Sequence, residues 1–231
     1  MTRQVWAGFQ FSEKHFRYPI VVPRMIIRNR SKKSIKFNGR TLCLLFGFIC
    51  LGASLKAQQI TYKLEWRGDS IGYMTAKKVV QGNVTNYEIE SKTKIRMLLS
   101  FEHSSLYKAK YTNNFLESSF CKNVVNDKTK AETKVTLRNG IYEIECLDED
   151  DKTLQEKISE SIVGLYFNEP TGNRLFSENY GGYCDLRKLS NHSYELVKPD
   201  DNTNIYYFEN GLCVGATFNL SLATIKVTKV N

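Results

Sequence analysis

Histidine is scarce in this chain, and cysteines in close pairs are absent. Of 231 residues only three are His, and only His103 and His192 lie beyond residue 57. A catalytic nucleophile usually needs a base such as histidine beside it. A zinc site usually takes its cysteine or histidine ligands in close pairs. The sequence therefore predicts no catalytic residue, no metal site and no cofactor, and it identifies no ligand-binding residue. We place both histidines at surface or turn positions.

Glycine-rich phosphate loops and calcium loops are also missing. Gly181-Gly182 lacks the Lys-Ser/Thr that would follow in a phosphate loop, and we predict a β-bulge there. The acidic run Asp148–Lys152 lacks the spacing of an EF-hand and predicts a solvated turn. The 23 acidic residues beyond residue 57 still offer carboxylate pairs, so an enzyme without a recognisable motif remains an alternative.

The positive charge is confined to the beginning of the chain. Residues 1–57 hold 11 Lys and Arg against one acid, so the remaining 22 basic and 23 acidic residues give residues 58–231 a net charge of −1. Nucleic acid, which binds basic surfaces, is therefore not an expected partner.

The basic leader has the layout of a secretory signal. A basic segment (Ser31–Arg40) precedes ten apolar residues (Leu42–Leu51), and cleavage is expected after Ala57. Residues 1–24 are an over-extended start if translation begins at Met25. Ten apolar residues are too few to span a bilayer, so we predict a periplasmic or secreted protein with no permanent membrane anchor after cleavage.

Apolar and polar residues alternate through most of residues 58–231. Ile60–Arg67 alternates without a fault, and between residues 87 and 97 Ile89, Ser91 and Thr93 share one face while acids and bases occupy the other. We predict one mostly β domain over 58–231, a strongly curved antiparallel sheet of about eleven strands in an open, barrel-like meander.

Two turn signals predict the pairing of neighbouring strands. Asn139-Gly140 is a strong hairpin signal, and it sets Val135 opposite Ile144 and Leu137 opposite Tyr142. Gly68-Asp69 predicts a second turn, with Leu64 opposite Tyr73. Counting back from Asn139-Gly140 sets Cys146 opposite Thr133, and counting from a turn at Asn126–Lys130 sets Cys121 near Val135, so the two cysteines flank one strand. Two strands separate Cys184 from Cys213, and neither pair is expected to form a disulfide.

One segment has helical spacing. Within Lys157–Gly172, Ile158, Ile162, Leu165 and Tyr166 recur at i, i+4, i+7 and i+8, which predicts a short amphipathic helix packed against the sheet. If this helix covers an apolar cavity, Leu165→Ala costs less than about 2 kcal/mol. If it seals the core, the cost is about 2–5 kcal/mol.

Five segments together resemble an uncharacterised family of exported proteins, a domain of unknown function typical of Bacteroidetes-type bacteria. They are Tyr62–Leu64, Gly72–Met74, Ser161–Gly172, Asp201–Gly211 and Leu222–Val227. The resemblance implies an exported β protein and no catalytic residue. A curved sheet around a helix is more distantly similar to periplasmic lipoprotein carriers.

These observations favour a non-catalytic envelope protein over an enzyme. One hypothesis is that it binds or carries an apolar or lipid-like ligand on the concave face of the sheet. The alternative is an interaction or assembly component of the cell envelope, whose partner is another envelope protein.

Overall fold

The computed structural model describes residues 55–96, 100–220 and 223–230. The predicted signal segments, the over-extended start and the choice between Met1 and Met25 lie outside these residues. The described part contains fourteen strands. They are β1 (Leu55–Trp66), β2 (Asp69–Gln81), β3 (Val84–Arg96), β4 (Ser100–Thr112), β5 (Phe115–Val125), β6 (Lys128–Arg138), β7 (Ile141–Cys146), β8 (Lys152–Leu154), β9 (Arg174–Ser177), β10 (Gly182–Ser190), β11 (Ser193–Val197), β12 (Thr203–Glu209), β13 (Leu212–Leu220) and β14 (Ala223–Lys229).

All fourteen strands belong to one antiparallel sheet. Its order is β8-β7-β6-β5-β4-β3-β2-β1-β14-β13-β12-β11-β10-β9. Strands that are consecutive in the chain are paired, except for β8 and β9, which are the two edges of the sheet. One further pair joins β1 to β14. The predicted fold class, a single antiparallel sheet that curves without closing, is confirmed.

The two edges of the sheet come close together. Thr133 Oγ1 on β6 donates to the carbonyl of Asn179 in the β9–β10 turn at 2.9 Å. In the same turn Gly181 has a φ of +58°, and a Cβ there would lie 2.5 Å from Cγ2 of Ile144 on β7. A glycine therefore permits both the turn conformation and the close approach. The curved sheet encloses an interior between its two ends.

The strand count exceeds the prediction of about eleven. The sequence suggested one strand over Leu175–Leu189, whereas β9 and β10 are separated by a turn that ends at Gly181, so the predicted bulge at Gly181-Gly182 is wrong. β8 has only three residues and begins at the end of the acidic run, where a turn was expected. Neither short strand is long enough to show alternation.

The hairpin predictions had mixed outcomes. Val135 pairs with Ile144 and Leu137 with Tyr142, as Asn139-Gly140 predicted. The first turn is wrong by one residue, because Arg67 and Gly68 take the positive φ values of the turn, 51° and 89°. A bulge between Leu64 and Glu65 then sets Leu64 opposite Gly72 rather than Tyr73.

The four described cysteines are free thiols. Cys121 and Cys146 both face Thr133, from opposite sides of β6, which confirms that they flank one strand although Cys121 is two residues from its predicted partner. β11 and β12 separate Cys184 on β10 from Cys213 on β13, as predicted. Flanking strands are about 10 Å apart, beyond the Cα separation of about 7 Å that a disulfide tolerates.

The predicted amphipathic α-helix is wrong in type but right in burial. Only Ile162–Tyr166 is helical, as a single 3₁₀ helix, within the connection from β8 to β9, residues 155–173, which we call the plug segment. The carbonyls of Ile158 and Glu160 accept hydrogen bonds from the backbone N–H groups of Leu116 on β5 and Phe176 on β9. These carbonyls are therefore not available for a longer helix.

The plug segment fills part of the interior. Ile158, Leu165 and Tyr166 are buried, and Tyr166 packs edge-on against Tyr62 of β1 and Tyr206 of β12, with ring centroids 5.6 and 6.2 Å apart. The core thus lies between the concave face of the sheet and this segment. None of the described helices is long and apolar enough to cross a membrane.

Candidate functional site

A cavity of about 350 Å³ lies inside the sheet, beside the plug segment. In a meander, every second turn lies at the same end of the sheet. The cavity wall includes residues close to four turns at one such end, those of β3–β4, β5–β6, β11–β12 and β13–β14. Lys130 and Leu220, both on the wall, are exposed to solvent. The cavity therefore reaches the surface at this end, which we call the mouth.

The wall of the cavity combines apolar and polar side chains. Its apolar members include Leu64, Met74, Ile89, Val125, Val163, Phe218 and Ile225. Its polar members include Ser91, Thr93, His103, Ser105, Tyr107, Asn123, Asn179, Tyr180, Lys198 and Asn204. Small-molecule sites are usually concave and combine apolar side chains with polar groups that orient the ligand.

The polar side chains point inward because of strand alternation. Ser91 and Thr93 follow Ile89 on the same face of β3, as the sequence predicted. Ser91 Oγ lies 2.7 Å from Ser105 Oγ of β4, and both residues are buried. The two hydroxyl groups satisfy each other, so this part of the wall is polar at little cost in free energy.

His103 lies on the cavity wall, and its predicted placement at a surface or turn is wrong. It lies near the beginning of β4, where it pairs with Thr93 and Val125 on the inward face. Burial lowers the pKa of His103, and a hydrogen bond with Asn123 only partly opposes this. Burial therefore disfavours the charged form of this imidazole.

His192 occupies the β10–β11 turn, as predicted, with a φ of 64°. Its Nδ1 lies 2.9 Å from Oε2 of Glu169 in the plug segment, and the Tyr194 hydroxyl donates to Oε1 of the same carboxylate at 2.7 Å. These contacts hold the end of the plug segment against β11. They lie away from the cavity wall.

Glu178, directly after β9, is fully buried, which no pattern in the sequence indicates. Neither carboxyl oxygen has a hydrogen-bond partner of good geometry among the described residues. Burial raises the pKa of Glu178 to about 7, and the Ser161 hydroxyl with the backbone N–H groups of Ile162 and Val163 only partly opposes the rise. The neighbouring residues Ser177 and Asn179 line the cavity, so Glu178 lies just behind its wall.

A polar network ties the β9–β10 turn to the opposite strands. Asn123 Nδ2 on β5 donates to Oδ1 of Asn179 at 2.6 Å, and the Tyr111 hydroxyl on β4 donates to Ser161 Oγ at 2.6 Å. Burial raises the pKa of Tyr111, and the charge of Glu178 raises it further. The first contact holds the β9–β10 turn against β5, and the second holds the plug segment against β4.

Lys198 follows β11 and lines the mouth of the cavity. It is half-buried, and burial lowers the pKa of its ammonium group, while Asp200 raises it in part. The Tyr180 hydroxyl, also at the mouth, donates to Oδ2 of Asp200 at 3.2 Å. The sequence placed Lys198 only at the end of a strand.

The described residues offer little that suggests bond-making chemistry. Burial raises the pKa of the Cys121 thiol to about 12 and those of Cys184 and Cys213 to about 11, which disfavours the reactive thiolate. No cluster of three or more His, Cys, Asp or Glu that could hold a metal ion occurs in the part of the chain that is described.

Comparisons with known proteins give a family. No curated protein matches the sequence. A crystal structure of a beta-barrel-like protein of domain of unknown function DUF1849 from Brucella abortus is similar at 11% identity and a TM-score of 0.44, covering 78% of this chain and 98% of that one. The family described as Domain of unknown function (DUF6134) matches residues 62–230. The prediction of a domain of unknown function is thus confirmed, and the chain belongs to the DUF6134 family.

Proposed function

We propose that this protein is an exported, non-catalytic envelope protein that binds a small amphiphilic ligand on the concave face of its sheet. The observation that carries the proposal is the cavity of about 350 Å³, whose wall combines apolar residues with polar ones and includes Lys198. If each non-hydrogen atom takes roughly the 30 Å³ of a liquid water molecule, the cavity holds about a dozen such atoms. A single short apolar chain with a polar head fits this volume.

Export is the second part of the proposal, and it is supported by the basic and apolar leader of residues 31–57. Origin in a Bacteroidetes-type bacterium and a likeness to lipoprotein carriers belong to the same proposal. We expect the exported protein to begin at Gln58, which intact-mass measurement would check. Because β1 starts at Leu55, cleavage there removes three paired residues, Leu55–Ala57, from the strand. A product that retains Leu42–Leu51 would contradict export without an anchor.

Ligand binding is tested with a variant that fills the cavity. Thr93 lines the mouth, and Thr93→Trp places an indole inside it. The matched control is Lys92→Trp, which puts the same ring on the exposed outer face of β3 and removes only a 3.7 Å surface ion pair with Glu90.

A ligand that binds only the folded state stabilises it by about 2.7 kcal/mol at a concentration of 100 times its Kd. For a chain of this length, that raises the melting temperature by about 5–10 °C. We expect single-chain amphiphiles to produce this rise in the unmutated protein and in Lys92→Trp, and not in Thr93→Trp. An equal rise in both variants would mean that amphiphiles bind elsewhere.

Native mass spectrometry separates the two non-catalytic hypotheses. A small molecule that copurifies with the protein, and that Thr93→Trp loses, supports ligand binding. A stoichiometric protein partner retained by Thr93→Trp, with no small molecule, supports a role in envelope assembly instead.

A further inference from the structure

The charge on the cavity wall is positive. The wall includes Lys130 and Lys198, and no aspartate or glutamate side chain lines it among the residues that the structure describes. Lys130 is exposed, where solvent and salt screen its charge. Lys198 is half-buried, so its ammonium group keeps more of its electrostatic effect on the cavity.

Lys198 lacks the partners that other lysines have. Many lysines on the outer face pair with glutamates, as Lys77 does with Glu88 at 3.1 Å. Lys78, the other lysine whose pKa is lowered by burial, lies 5.7 Å from the Tyr87 ring centroid and 5.9 Å from that of Phe167. Lys198 has neither an ion pair nor an aromatic ring among the described residues. A partly desolvated cation without a partner is unfavourable unless an anion joins it.

Asp200 does not fill this role. It attracts Lys198 from beyond ion-pairing distance, and its carboxylate already accepts hydrogen bonds from the Tyr180 hydroxyl and the Asn202 backbone N–H, both at 3.2 Å. The backbone of Lys198 is fixed by two hydrogen bonds across the turn, each of 3.0 Å, with Asn202 and Asp201. The side chain of Lys198 therefore leaves a fixed backbone position on the cavity wall, and its ammonium group has no ion pair within the described structure.

We infer that Lys198 binds an anionic head group, a carboxylate or a phosphate or sulfate monoester, whose apolar chain enters the cavity. This inference rests on the proposed ligand-binding function and specifies the ligand class. The protein thereby selects anionic amphiphiles over neutral ones of the same chain length. A charge-assisted hydrogen bond of this kind accounts for a selectivity of about 10- to 100-fold.

Calorimetric titration of the full-length exported chain with decanoate, decanol and acetate tests the inference. We expect decanoate to bind about 10- to 100-fold more tightly than decanol, and acetate to bind far more weakly than either. Lys198→Met should reduce decanoate affinity to that of decanol and leave decanol affinity unchanged within about twofold. Lys198→Arg should retain most of the preference, because it retains the charge.

Lys226→Met is the matched control. Lys226 is exposed on β14, between the inward-facing Ile225 and Val227, and its loss should change none of the affinities. Lys198→Met should also melt no lower than the unmutated protein, since it removes a desolvated charge. That measurement shows that any loss of binding is not a loss of folding.

The other outcomes are distinguishable. Equal binding of decanoate and decanol, unaffected by Lys198→Met, overturns the role of Lys198 and leaves the proposed function standing. Binding of neither chain overturns both. If acetate binds as tightly as decanoate and this binding depends on Lys198, then Lys198 forms a site for small free anions. That result overturns the inference that the ligand is an amphiphile.

Discussion

Glu178→Gln should raise the free energy of unfolding at pH 8 by about 3 kcal/mol and remove much of its dependence on pH. The side chain is fully buried without a hydrogen-bond partner of good geometry in the described structure, and its pKa is raised from 4.5 to about 7. A shift of this size corresponds to about 3 kcal/mol, because one pKa unit is about 1.4 kcal/mol.

The sign follows from proton binding. Between about pH 4.5 and pH 7 the folded state keeps the Glu178 proton and the unfolded state loses it, so stability falls as pH rises. Below this window both states are protonated, and above it both are ionised. The stability contribution of Glu178 is thus fully present below pH 4.5 and lost as pH passes through about 7. Glutamine stays neutral, so the variant should exceed the unmutated protein by less than about 1 kcal/mol at pH 5 and by about 3 kcal/mol at pH 8.

Denaturant unfolding from pH 5 to pH 8.5 measures this difference. Glu143→Gln is the control, since Glu143 is partly exposed and forms a surface pair with Arg138 at 3.2 Å. We expect that control to change stability by less than about 1 kcal/mol at every pH. If Glu178→Gln follows the same pH curve as the unmutated protein, the carboxyl group is solvated and the described burial is wrong.

Leu165→Ala should cost about 2–5 kcal/mol, the range for a buried leucine that leaves a cavity. Leu165 is 2% exposed in the 3₁₀ helix, and it borders a cleft at the opposite side of the plug segment from the mouth, rather than the cavity of about 350 Å³. The smaller loss of unfolding free energy expected for a lid over that cavity therefore does not apply to Leu165. For the same reason, Leu165→Ala does not distinguish a ligand carrier from a protein whose plug segment only seals the core.

Equilibrium unfolding measures the cost, with Leu189→Ala as the control because Leu189 is 52% exposed. The control should lose less than about 0.5 kcal/mol. At a temperature where Leu165→Ala remains folded, its affinity for decanoate should equal that of the unmutated protein. A loss below 1 kcal/mol would show that the plug segment is loosely packed.

The sheet could be predicted from the sequence because its signals are local. Asn139-Gly140 fixes one turn, and alternation then sets Val135 opposite Ile144 without reference to the rest of the chain. The fold class follows from the repetition of such hairpins. The register at Leu64 was missed because a bulge changes the count by one residue and leaves no clear mark in the composition.

The backbone conformation of the plug segment and the residues of the cavity wall could not be predicted, because they depend on contacts distant in sequence. The backbone N–H of Leu116, 42 residues before Ile158, donates a hydrogen bond to the Ile158 carbonyl, which in a longer helix would accept one from within the helix. Glu178 and Lys198 have the polarity of ordinary turn residues, and only the curvature of the sheet brings one into the core and the other to a cavity. Burial of a charged residue against its usual preference is a tertiary property.

Because β1 pairs with β14, the order of the strands along the chain differs from their order in the sheet. Tyr62 pairs with Lys229, so the two ends of the described sheet sequence lie side by side, while the gap in the sheet falls between β8 and β9. If residues 230 and 58 were joined by a short linker and the chain opened after Leu154, the strands would follow one another in the order in which they lie in the sheet. Every pair of neighbouring strands would then be joined by a short connection, including β14 and β1, which the linker would join. The mean sequence separation of contacting residues would fall. A circular permutant of this kind keeps the same sheet and, by the relation between contact order and rate, folds faster than the natural order.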